Sequence, residues 1–464
     1  MIKHIMVLLA GLFCMAAMAQ KQEKENGNAV EKSYRFSVTF TDKKGCGFSV
    51  KHPEKFLSQK AIDRRKRYGL KVDEYDLPIT PKYLSEVGKL GLKLYNMSKW
   101  NNTAVFELKD SAKMAEVRKL PFVSDVKCVW IAPEITSVRE PKNRAEIVTN
   151  KRDTLKNYYG AAARQVEMLG VDKIHRAGYK GKGVTIAVID GGFYNADLIR
   201  GLKGAKILGT RNFVRPATSV YEELDHGMMV LSCMAANEPY SLVGTAPEAE
   251  FYLLQSEDGE SEQAVEAYNW CAALEYADSL GCDVVTNSLG YTCFDHEFMN
   301  YKYCDQDGCT APNSRSASLA ASRGILLLNS AGNSGRDSWK RIGFPADAHD
   351  ILTVGAVDKK GVNALFSSLG NTADGRVKPD VMAVGVASAV YGDDGCVTDA
   401  NGTSFSCPIM CGAVACLVQA FPAKTPEEII HAVQQSGDNV AHPDNVFGYG
   451  IPDMVKAMEL LKNQ

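Results

Sequence analysis

Hydrophobic positions along the chain follow two different patterns, before and after about residue 161. In the earlier part, alternating segments such as Y-R-F-S-V-T-F (34–40) and T-A-V-F-E-L (103–108) predict half-buried strands. Helical periodicity lies between them, over roughly residues 55–69, and again over S-A-K-M-A-E-V-R-K-L (111–120). Strands and helices mixed in this way predict a small α+β domain.

The later part alternates short, continuous apolar runs with helical segments. The run at 183–190 is typical of a parallel strand covered on both faces, and the runs at 282–290 and 324–332 predict strands that end in Gly. A helix is predicted over 261–281, with Ser261 as its N-cap and Gly281 as its stop, and another begins at the capping box of Thr425. The alternation predicts an α/β fold with a mostly parallel central sheet and helices on both faces.

These changes of pattern divide the chain into five segments. Residues 1–19 have a basic start, an apolar run and the small-residue end Ala17-Met18-Ala19, which predicts a cleaved secretory signal peptide. The remaining segments are a charge-rich flexible leader (20–33), the α+β domain (34–135), a charged linker (136–160) and the α/β domain (161–464).

Composition and charge exclude several classes of partner. The net charge of −2 gives no overall field that would attract nucleic acid or an anionic membrane. The one dense basic run, Arg64-Arg65-Lys66-Arg67, lies in a helical stretch and predicts a solvated helix face rather than a binding patch. After the signal, no stretch is apolar enough to predict a membrane span.

The cysteines fall into two groups. Cys293, Cys304 and Cys309 lie in a polar, loop-like region, where an exported protein is expected to form disulfides. Cysteines within apolar helical patterns are expected to be buried thiols. A metal site in the Cys304–Cys309 loop is the alternative, but its spacing matches neither a zinc motif nor an EF-hand loop.

Four polar residues are predicted to lie outside the carboxyl ends of the strands, where parallel sheets usually carry their functional sites. Asp190 ends one apolar strand, Asn333 follows another, and His226 opens an apolar helical run. Ser404 stands at the first turn of a further helix, where free amides can stabilise an oxyanion. Each has an ordinary alternative: a turn Asp, a surface His, a turn Asn or a capping Ser.

The motifs around these residues, D-G-G, H-G-M-M-V, A-G-N and G-T-S-F-S-C-P, closely resemble those of the subtilisin-like serine peptidases, or subtilases, in the order Asp, His, Asn, Ser. The resemblance covers about residues 161–460 and includes F-P-A-D-A-H-D (344–350) and G-Y-G-I-P-D (448–453). It implies a subtilisin-like fold and a serine endopeptidase that hydrolyses peptide bonds through an acyl-enzyme.

The resemblance assigns roles residue by residue. Ser404 would be the nucleophile, His226 the general base and later acid, and Asp190 the group that orients the imidazole. Asn333, with the Ser404 backbone N–H, would form the oxyanion hole. The segments implied to bind substrate are Ser288, Leu289, Gly290, Ala331 and Gly332. The resemblance also suggests a cis bond at Phe344–Pro345.

The resemblance further implies the partners. Residues 34–135 are similar in position and pattern to the family's prosegment, which assists folding, blocks the cleft and is removed by self-cleavage, here within roughly residues 130–160. The substrates would be proteins or peptides. No cofactor is expected for catalysis; calcium is a common structural ion in the family, but the sequence assigns it no ligands. We expect an exported protein, periplasmic or secreted, with no nucleic-acid partner and no membrane attachment after signal cleavage.

Three departures from the family pattern affect specificity and rate rather than the catalytic groups. Gly191 replaces the usual Ser or Thr, Met228 replaces a Thr, and Asn329-Ser330 is more polar than usual beside the expected substrate pocket. Two other functions remain as hypotheses. One is a catalytically silent subtilase fold that binds a partner. The other is an esterase-like Ser-His-Asp hydrolase, against which the order of the residues and the absence of G-x-S-x-G both argue.

Overall fold

The computed structural model describes residues 33–133 and 155–463 of the chain. The predicted signal peptide, nearly all of the leader and most of the predicted linker therefore lie outside the described residues.

The first described segment forms a small domain around a four-stranded antiparallel sheet. The strand order is β2-β3-β1-β4. The strands are β1 (Tyr34–Phe40), β2 (Lys93–Ser98), β3 (Thr103–Leu108) and β4 (Val123–Ile131). Its helices are α1 (Gln59–Arg67), α2 (Pro81–Lys89) and α3 (Met114–Val117). We call residues 33–133 the N-terminal domain.

The second segment is built on a seven-stranded parallel sheet, which confirms the predicted fold class. The strand order is β13-β12-β11-β10-β5-β9-β6. These strands are β5 (Thr185–Asp190), β6 (Lys206–Asn212), β9 (Glu250–Gln255), β10 (Val284–Asn287), β11 (Leu326–Ser330), β12 (Leu352–Val357) and β13 (Val381–Val384). Two hairpins accompany the sheet: β7 (Asn237–Glu238) with β8 (Leu242–Val243), and β14 (Ser388–Tyr391) with β15 (Val397–Ala400).

Helices cover both faces of this sheet. They are α4 (Ala163–Glu167), α5 (Val171–Arg176), α6 (His226–Ala235), α7 (Val265–Leu280), α8 (Pro312–Ser322), α9 (Thr403–Ala420), α10 (Pro426–Gln435) and α11 (Met454–Lys462). Along β5, Ile186 and Val188 join the core that contains α6 and α9, whereas Ala187 and Ile189 join the core that contains α7 and α8. The strand is a continuous apolar run because its side chains alternate between two covered faces.

The N-terminal domain docks on the face formed by α7 and α8. Trp100 is 1% exposed and packs in the same apolar cluster as Trp270 of α7. Beside it, Glu275 of α7 accepts hydrogen bonds from the Ser98 hydroxyl and from the backbone N–H groups of Lys99 and Trp100. Glu275 thus satisfies the polar groups of the turn after β2, which would otherwise be buried without partners.

Several local signals in the sequence are confirmed. Gly281 ends α7 in the left-handed region, at φ 77°. Thr425 and Glu428 form the predicted capping box of α10, and the Phe344–Pro345 bond is cis. Ser261, however, is not the N-cap of α7, which begins four residues later at Val265, and it lies in the loop before the helix.

Two surface predictions were wrong. Arg64 and Arg65 of the basic run are each 1% exposed, because they face the second domain rather than water. Cys293, Cys304 and Cys309 are exposed free thiols rather than disulfide partners.

Helix α9 is long and apolar enough to pass a test for a membrane span, which the sequence analysis did not predict. Its apolar side chains face protein, since 89% of that window is buried inside the fold. Within the described residues, α9 is the one helix of that length and composition.

We expect Gly412→Ala to lower the stability of the fold, because α9 passes very close to the loop after β8. A Cβ added to Gly412 would lie 2.9 Å from the Thr245 Cβ and 3.0 Å from the Ala246 amide nitrogen. Overpacking of this kind typically costs about 1–3 kcal/mol. Thermal unfolding of the full chain, followed by circular dichroism, would measure the loss.

The matched control is Gly88→Ala in the last turn of α2, where an added Cβ meets nothing within 4 Å. Alanine is the better helix former by about 0.5–1 kcal/mol, so this change should be neutral or slightly stabilising. Equal effects of the two substitutions would contradict the close approach at Gly412.

Candidate active site

Parallel register brings three strand ends to one edge of the sheet. Ile189 of β5 is level with Asn287 of β10, which in turn is level with Asn329 of β11. The residues that follow, Asp190, Ser288 and Ser330, therefore emerge side by side. Helices α6 and α9 both begin at this edge and supply the remaining groups.

Asp190 and His226 form a close pair. The Asp190 Oδ1 atom lies 2.6 Å from His226 Nδ1 and also accepts the Gly191 backbone N–H at 2.8 Å. Gly227 permits the approach: a Cβ there would lie 2.8 Å from the Asp190 Cβ. The hydrogen bond fixes the imidazole so that Nε2 faces away from the carboxylate.

The second oxygen of Asp190 is buried and accepts no hydrogen bond among the described residues. This is the position where a hydroxyl on residue 191 could have helped, and Gly191 has none. With Gly191 at this position, the Asp190 carboxylate is held through only one of its oxygens among the described residues.

Ser404 stands in the first turn of α9, as the sequence predicted. The chain enters the helix through Gly402, whose φ of 153° and ψ of 152° are accessible mainly to glycine. The Ser404 hydroxyl donates to the Ser288 carbonyl at 3.3 Å, and the Ser288 hydroxyl donates back to the Ser404 carbonyl at 2.9 Å. No hydrogen bond joins Ser404 to His226 in the described part of the chain, although both side chains line the same cavity.

The orientation of the Asn333 amide is fixed by Thr403. The Thr403 backbone N–H and hydroxyl donate to Asn333 Oδ1, at 2.9 and 3.0 Å. Because a backbone N–H can only donate, the side-chain atom facing it must be the oxygen, which leaves the NH₂ group of Asn333 as a free donor. The Thr403 hydroxyl also accepts the Gly332 N–H at 3.1 Å. Sequence reasoning missed this role of Thr403.

A cavity of about 630 Å³ joins most of the predicted site residues. It is lined by all four predicted catalytic residues, and by Ser288, Leu289, Gly290, Gly332 and Ser330. Ala331 is fully buried against Ile342 and Ala346 and does not line it. Asn329, which was expected to flank the substrate pocket, is also fully buried, and its side chain bonds the Ser330 carbonyl at 2.7 Å.

One wall of the cavity is acidic. We call Glu257, Glu260, Glu262, Glu266 and Asp295, which all line it, the acidic rim. Among the described residues, only Glu260 of this group has an ion pair with a Lys or Arg, Arg215 at 3.3 Å. The sequence carried a signal for this wall. Gln255 of β9 is level with Asp190, so the run S-E-D-G-E-S-E that follows must lie at the same edge.

Burial and charge shift the pKa values of the site. Burial, helped by the nearby Glu262 and Asp190, raises the pKa of Glu257 to about 8, although the hydrogen bond from the Tyr291 hydroxyl lowers it. Burial and the neighbouring Glu257 and Glu262 raise the pKa of Glu266 to about 10. For His226, burial lowers the pKa, but Asp190 outweighs it, so that the pKa lies above the usual 6.5.

The described residues contain no cluster of side chains that could hold a metal ion. Within residues 33–133 and 155–463, no group of three or more His, Cys, Asp or Glu side chains converges on a common point. The acidic rim is spread along a wall, and the predicted calcium ion remains a prediction without assigned ligands.

Family comparisons account for most of the described chain. The family model described as the subtilase family of peptidase S8 matches residues 181–450. A second model, described as the peptidase S8 propeptide domain of Bacteroidota, matches residues 35–146. The two matches fall on the α/β domain and on the N-terminal domain.

Curated relatives are similar over the α/β domain. Serine protease AprX of Bacillus subtilis is 29% identical over 302 residues, which are 58% of this chain and 65% of AprX. Subtilisin DY of Bacillus licheniformis is 27% identical over 289 residues, which are 61% of this chain and 93% of the relative.

Solved structures share the fold. The epidermin leader peptide processing serine protease EpiP of Staphylococcus aureus superposes with a TM-score of 0.62 at 17% identity, covering 93% of this chain and 99% of EpiP. MycP1 of Mycobacterium smegmatis gives a TM-score of 0.52 at 21% identity, covering 67% and 86%. At these identities the likeness extends to the fold alone.

The acidic rim should make the folded chain less stable as the pH rises. Between about pH 4.5 and 8, Glu257 keeps its proton in the fold but has lost it in the unfolded chain. Folding therefore binds protons over this range, and the free energy of unfolding falls with increasing pH. The nearby Glu262 and Asp190 also raise the pKa of Glu257, whereas the Tyr291 hydrogen bond lowers it. Glu266, with its pKa raised to about 10, adds to the decline.

Glu257→Gln should make this decline shallower, measured by urea unfolding from pH 5 to 9 in a full chain that carries Ser404→Ala to exclude self-cleavage. Glu459→Gln, at an exposed position of α11, is the control and should leave the slope unchanged. A Glu257→Gln chain that declines as steeply as its parent would show that Glu257 ionises normally.

Proposed function

The chain belongs to the subtilase family of serine peptidases and carries that family's propeptide domain, and from this premise we propose that it is an exported, self-processed serine endopeptidase. The observation that carries the proposal is the 2.6 Å pair of Asp190 and His226, which borders the same cavity as Ser404 and Asn333. A carboxylate, an imidazole, a hydroxyl and an amide donor in one cleft are the groups that acyl transfer from a peptide requires.

In the first step, the Ser404 hydroxyl turns from the Ser288 carbonyl towards His226 Nε2. Its oxygen attacks the carbonyl carbon of the scissile bond while its proton passes to the imidazole. Asp190 stabilises the imidazolium through Nδ1, consistent with the raised pKa of His226. Hydrogen bonds between catalytic groups are often long before substrate binds, so the present Ser404 contact is compatible with this step.

The negative oxygen that forms is stabilised by the Asn333 NH₂ and the Ser404 backbone N–H. Thr403 holds the amide ready, so that little reorganisation is needed when charge develops. The amine then leaves with the proton from His226, and a water molecule, deprotonated by the same imidazole, hydrolyses the acyl-enzyme. As the ester bond to Ser404 breaks, His226 returns this proton to the Ser404 oxygen, so that acylation and deacylation each restore the starting protonation.

The edge segment Ser288-Leu289-Gly290 is the proposed platform for extended substrate, by backbone pairing as in β-augmentation. In this proposal the Gly332 segment forms the other side of the same cleft, and Ala331, which does not line the cavity, has no part in it. Residues 34–135 act as an inhibitor of the cleft, the enzyme itself cuts the linker, and residues 1–19 direct export. Nucleic acid has no part in the proposal.

Ser404→Ala tests the function directly. The full chain without its signal should cleave itself and degrade an unfolded protein substrate, and the variant should do neither, with activity lower by at least about 10³-fold. Ser406→Ala is the matched control, since it removes a buried hydroxyl of α9 that donates only to the Thr403 carbonyl, at 3.0 Å. A phenylmethylsulfonyl reagent should label Ser404 in the processed parent. Equal, inert behaviour of the parent and both variants would instead favour a silent scaffold.

Above about pH 8, where Glu257 and Glu262 have lost their protons, the acidic rim should set a preference for basic side chains near the cut. Of paired peptides that carry Lys, Gln or Glu two residues before the cleaved bond, the Lys peptide should have the highest kcat/KM and the Glu peptide the lowest. We expect about tenfold between the extremes, because charges a few ångströms apart in a partly screened cleft differ by about 1–2 kcal/mol. Added salt should reduce the ratio of kcat/KM for the Lys peptide to kcat/KM for the Glu peptide, because salt screens the charges.

Glu262→Gln, at the exposed end of the rim, should reduce the Lys-to-Glu ratio without changing cleavage of the Gln peptide, whereas Glu459→Gln should change neither. A parent enzyme that cleaves all three peptides alike would rule out a role of the rim in substrate choice.

A further inference from the structure

The basic run Arg64-Arg65-Lys66-Arg67 forms the end of α1, and half of it is buried. Arg64 and Arg65 are each 1% exposed, whereas Lys66 and Arg67 remain exposed to solvent. Two adjacent arginines with almost no exposed surface need specific partners, because a charge transferred from water into protein without one is very unfavourable.

Arg64 reaches only atoms of the α/β domain. Its Nη1 donates to the Cys282 carbonyl at 2.6 Å, its Nε donates to the Arg323 carbonyl at 3.1 Å, and its Nη2 pairs with Asp278. Cys282 is the second residue after the end of α7, and Arg323 directly follows α8. The guanidinium thus sits where the carbonyl ends of two helices meet, which is where their dipoles favour a cation.

Arg65 links the two domains through carboxylates. Its Nη2 lies 3.0 Å from Asp278 Oδ2 and 2.8 Å from Asp76 Oδ1 of the N-terminal domain. In the reverse direction, Arg323 of the α/β domain donates to Asp73 at 2.5 Å and lies 3.6 Å from Asp76. Each domain therefore provides cations to the carboxylates of the other.

We call this set of six side chains the charged latch: Arg64, Arg65, Asp73, Asp76, Asp278 and Arg323. None of them lines the catalytic cavity. Burial opposes ionisation of Asp278, but Arg64 and Arg65 outweigh it and hold its pKa at about 2. The latch therefore remains charged under mildly acidic conditions.

The buried ion pairs of the charged latch contribute more to the specificity of domain docking than to its net free energy. A buried ion pair gains little over a well-packed apolar contact, but loss of one member leaves the others buried without compensation. The latch therefore holds only when all its members are in register, and it opens as a unit.

We propose that the charged latch holds the prosegment on the catalytic domain after the linker has been cut, and so determines how long the cleaved enzyme stays inhibited. This inference rests on the proposed function of residues 34–135 as an intramolecular inhibitor. Its partner surface is the joint carboxyl end of α7 and α8, at a distance from the cleft residues.

The test compares Arg64→Met with Lys66→Met in the full chain. Both changes remove one positive charge from α1, but only Arg64 contacts the α/β domain, and the sequence of that domain is unchanged in both. After self-cleavage, the prosegment of Arg64→Met should dissociate about 100-fold faster than that of the parent, seen as a shorter lag before activity and as loss of co-elution in size exclusion. Lys66→Met should behave as the parent, and kcat/KM after the lag should be the same in all three.

Asp278→Asn approaches the same contact from the other side and should shorten the lag similarly. Combined with Arg64→Met, it should add much less than a second 100-fold, because the two residues act on one network. Additive effects of the two substitutions, or an unchanged lag in Arg64→Met, would overturn the proposal.

A measurement without catalysis separates this inference from the peptidase function. In full chains carrying Ser404→Ala, hydrogen exchange of the backbone amides of residues 59–67 should be at least about tenfold faster with Arg64→Met and unchanged with Lys66→Met. Faster exchange in chains whose Ser404 parent never cleaves itself would support the latch while rejecting the peptidase. Unchanged exchange together with normal self-cleavage would reject the latch alone.

Discussion

The parallel register of β5, β10 and β11 is the constraint on which the site depends. Because Ile189, Asn287 and Asn329 are level with one another, the residues after them leave the sheet at one edge. The carboxylate of Asp190 and the backbone of Ser288 then have fixed positions before any loop is considered. Slippage of one strand by a single residue would turn its side chains to the other face and dissolve the arrangement.

Helix starts complete the arrangement at the same edge. α6 delivers His226 through the close approach that Gly227 allows, and α9 delivers Ser404 through the extended Gly402. Both helices are almost wholly apolar beyond their first turn, so the sheet face that they cover also holds them in place. The same burial that makes the core stable therefore sets the separation of the reacting groups.

The sequence predicted the features that depend on local chemistry. Gly281 as a helix stop and Thr425 as a capping box were confirmed because each involves residues within one turn of the chain. The parallel sheet was predicted because both-face burial leaves a continuous apolar run. The burial of Arg64 and Arg65 was missed for the opposite reason: their partner Asp278 lies more than two hundred residues away, and nothing near α1 indicates it.

In the candidate active site, too, local motifs were predictable from the sequence and contacts between distant segments were not. The positions of Asp190, His226, Asn333 and Ser404 could be read from motifs, but the polar contacts that support them could not. Thr403 orients the Asn333 amide by two hydrogen bonds that join segments seventy residues apart. The exclusion of Ala331 from the cavity likewise depends on which way one residue faces after β11, which the motif A-G-N leaves open.

Helix α7 connects the two surfaces that matter for inhibition. Just before its first turn, the Gln263 side chain makes two hydrogen bonds with the backbone of Ile131, the last residue of β4, at 2.8 and 2.9 Å. Near its other end, Asp278 receives the arginines of α1. The sixteen residues of α7 span about 24 Å. The N-terminal domain therefore contacts this helix near both of its ends.

The Gln263 contact and the charged latch, at the two ends of α7, reinforce each other. While either contact holds, the other reforms as an intramolecular event, at an effective concentration far above that of free chains. In the proposed function, a cut in the linker removes the covalent tether but none of these contacts, so cleavage alone does not release the cleft. Dissociation instead requires the charged latch, the Gln263 contact and the Glu275 contact to be open at once, which makes the lifetime of the inhibited state more sensitive to the latch than its modest net stability would indicate.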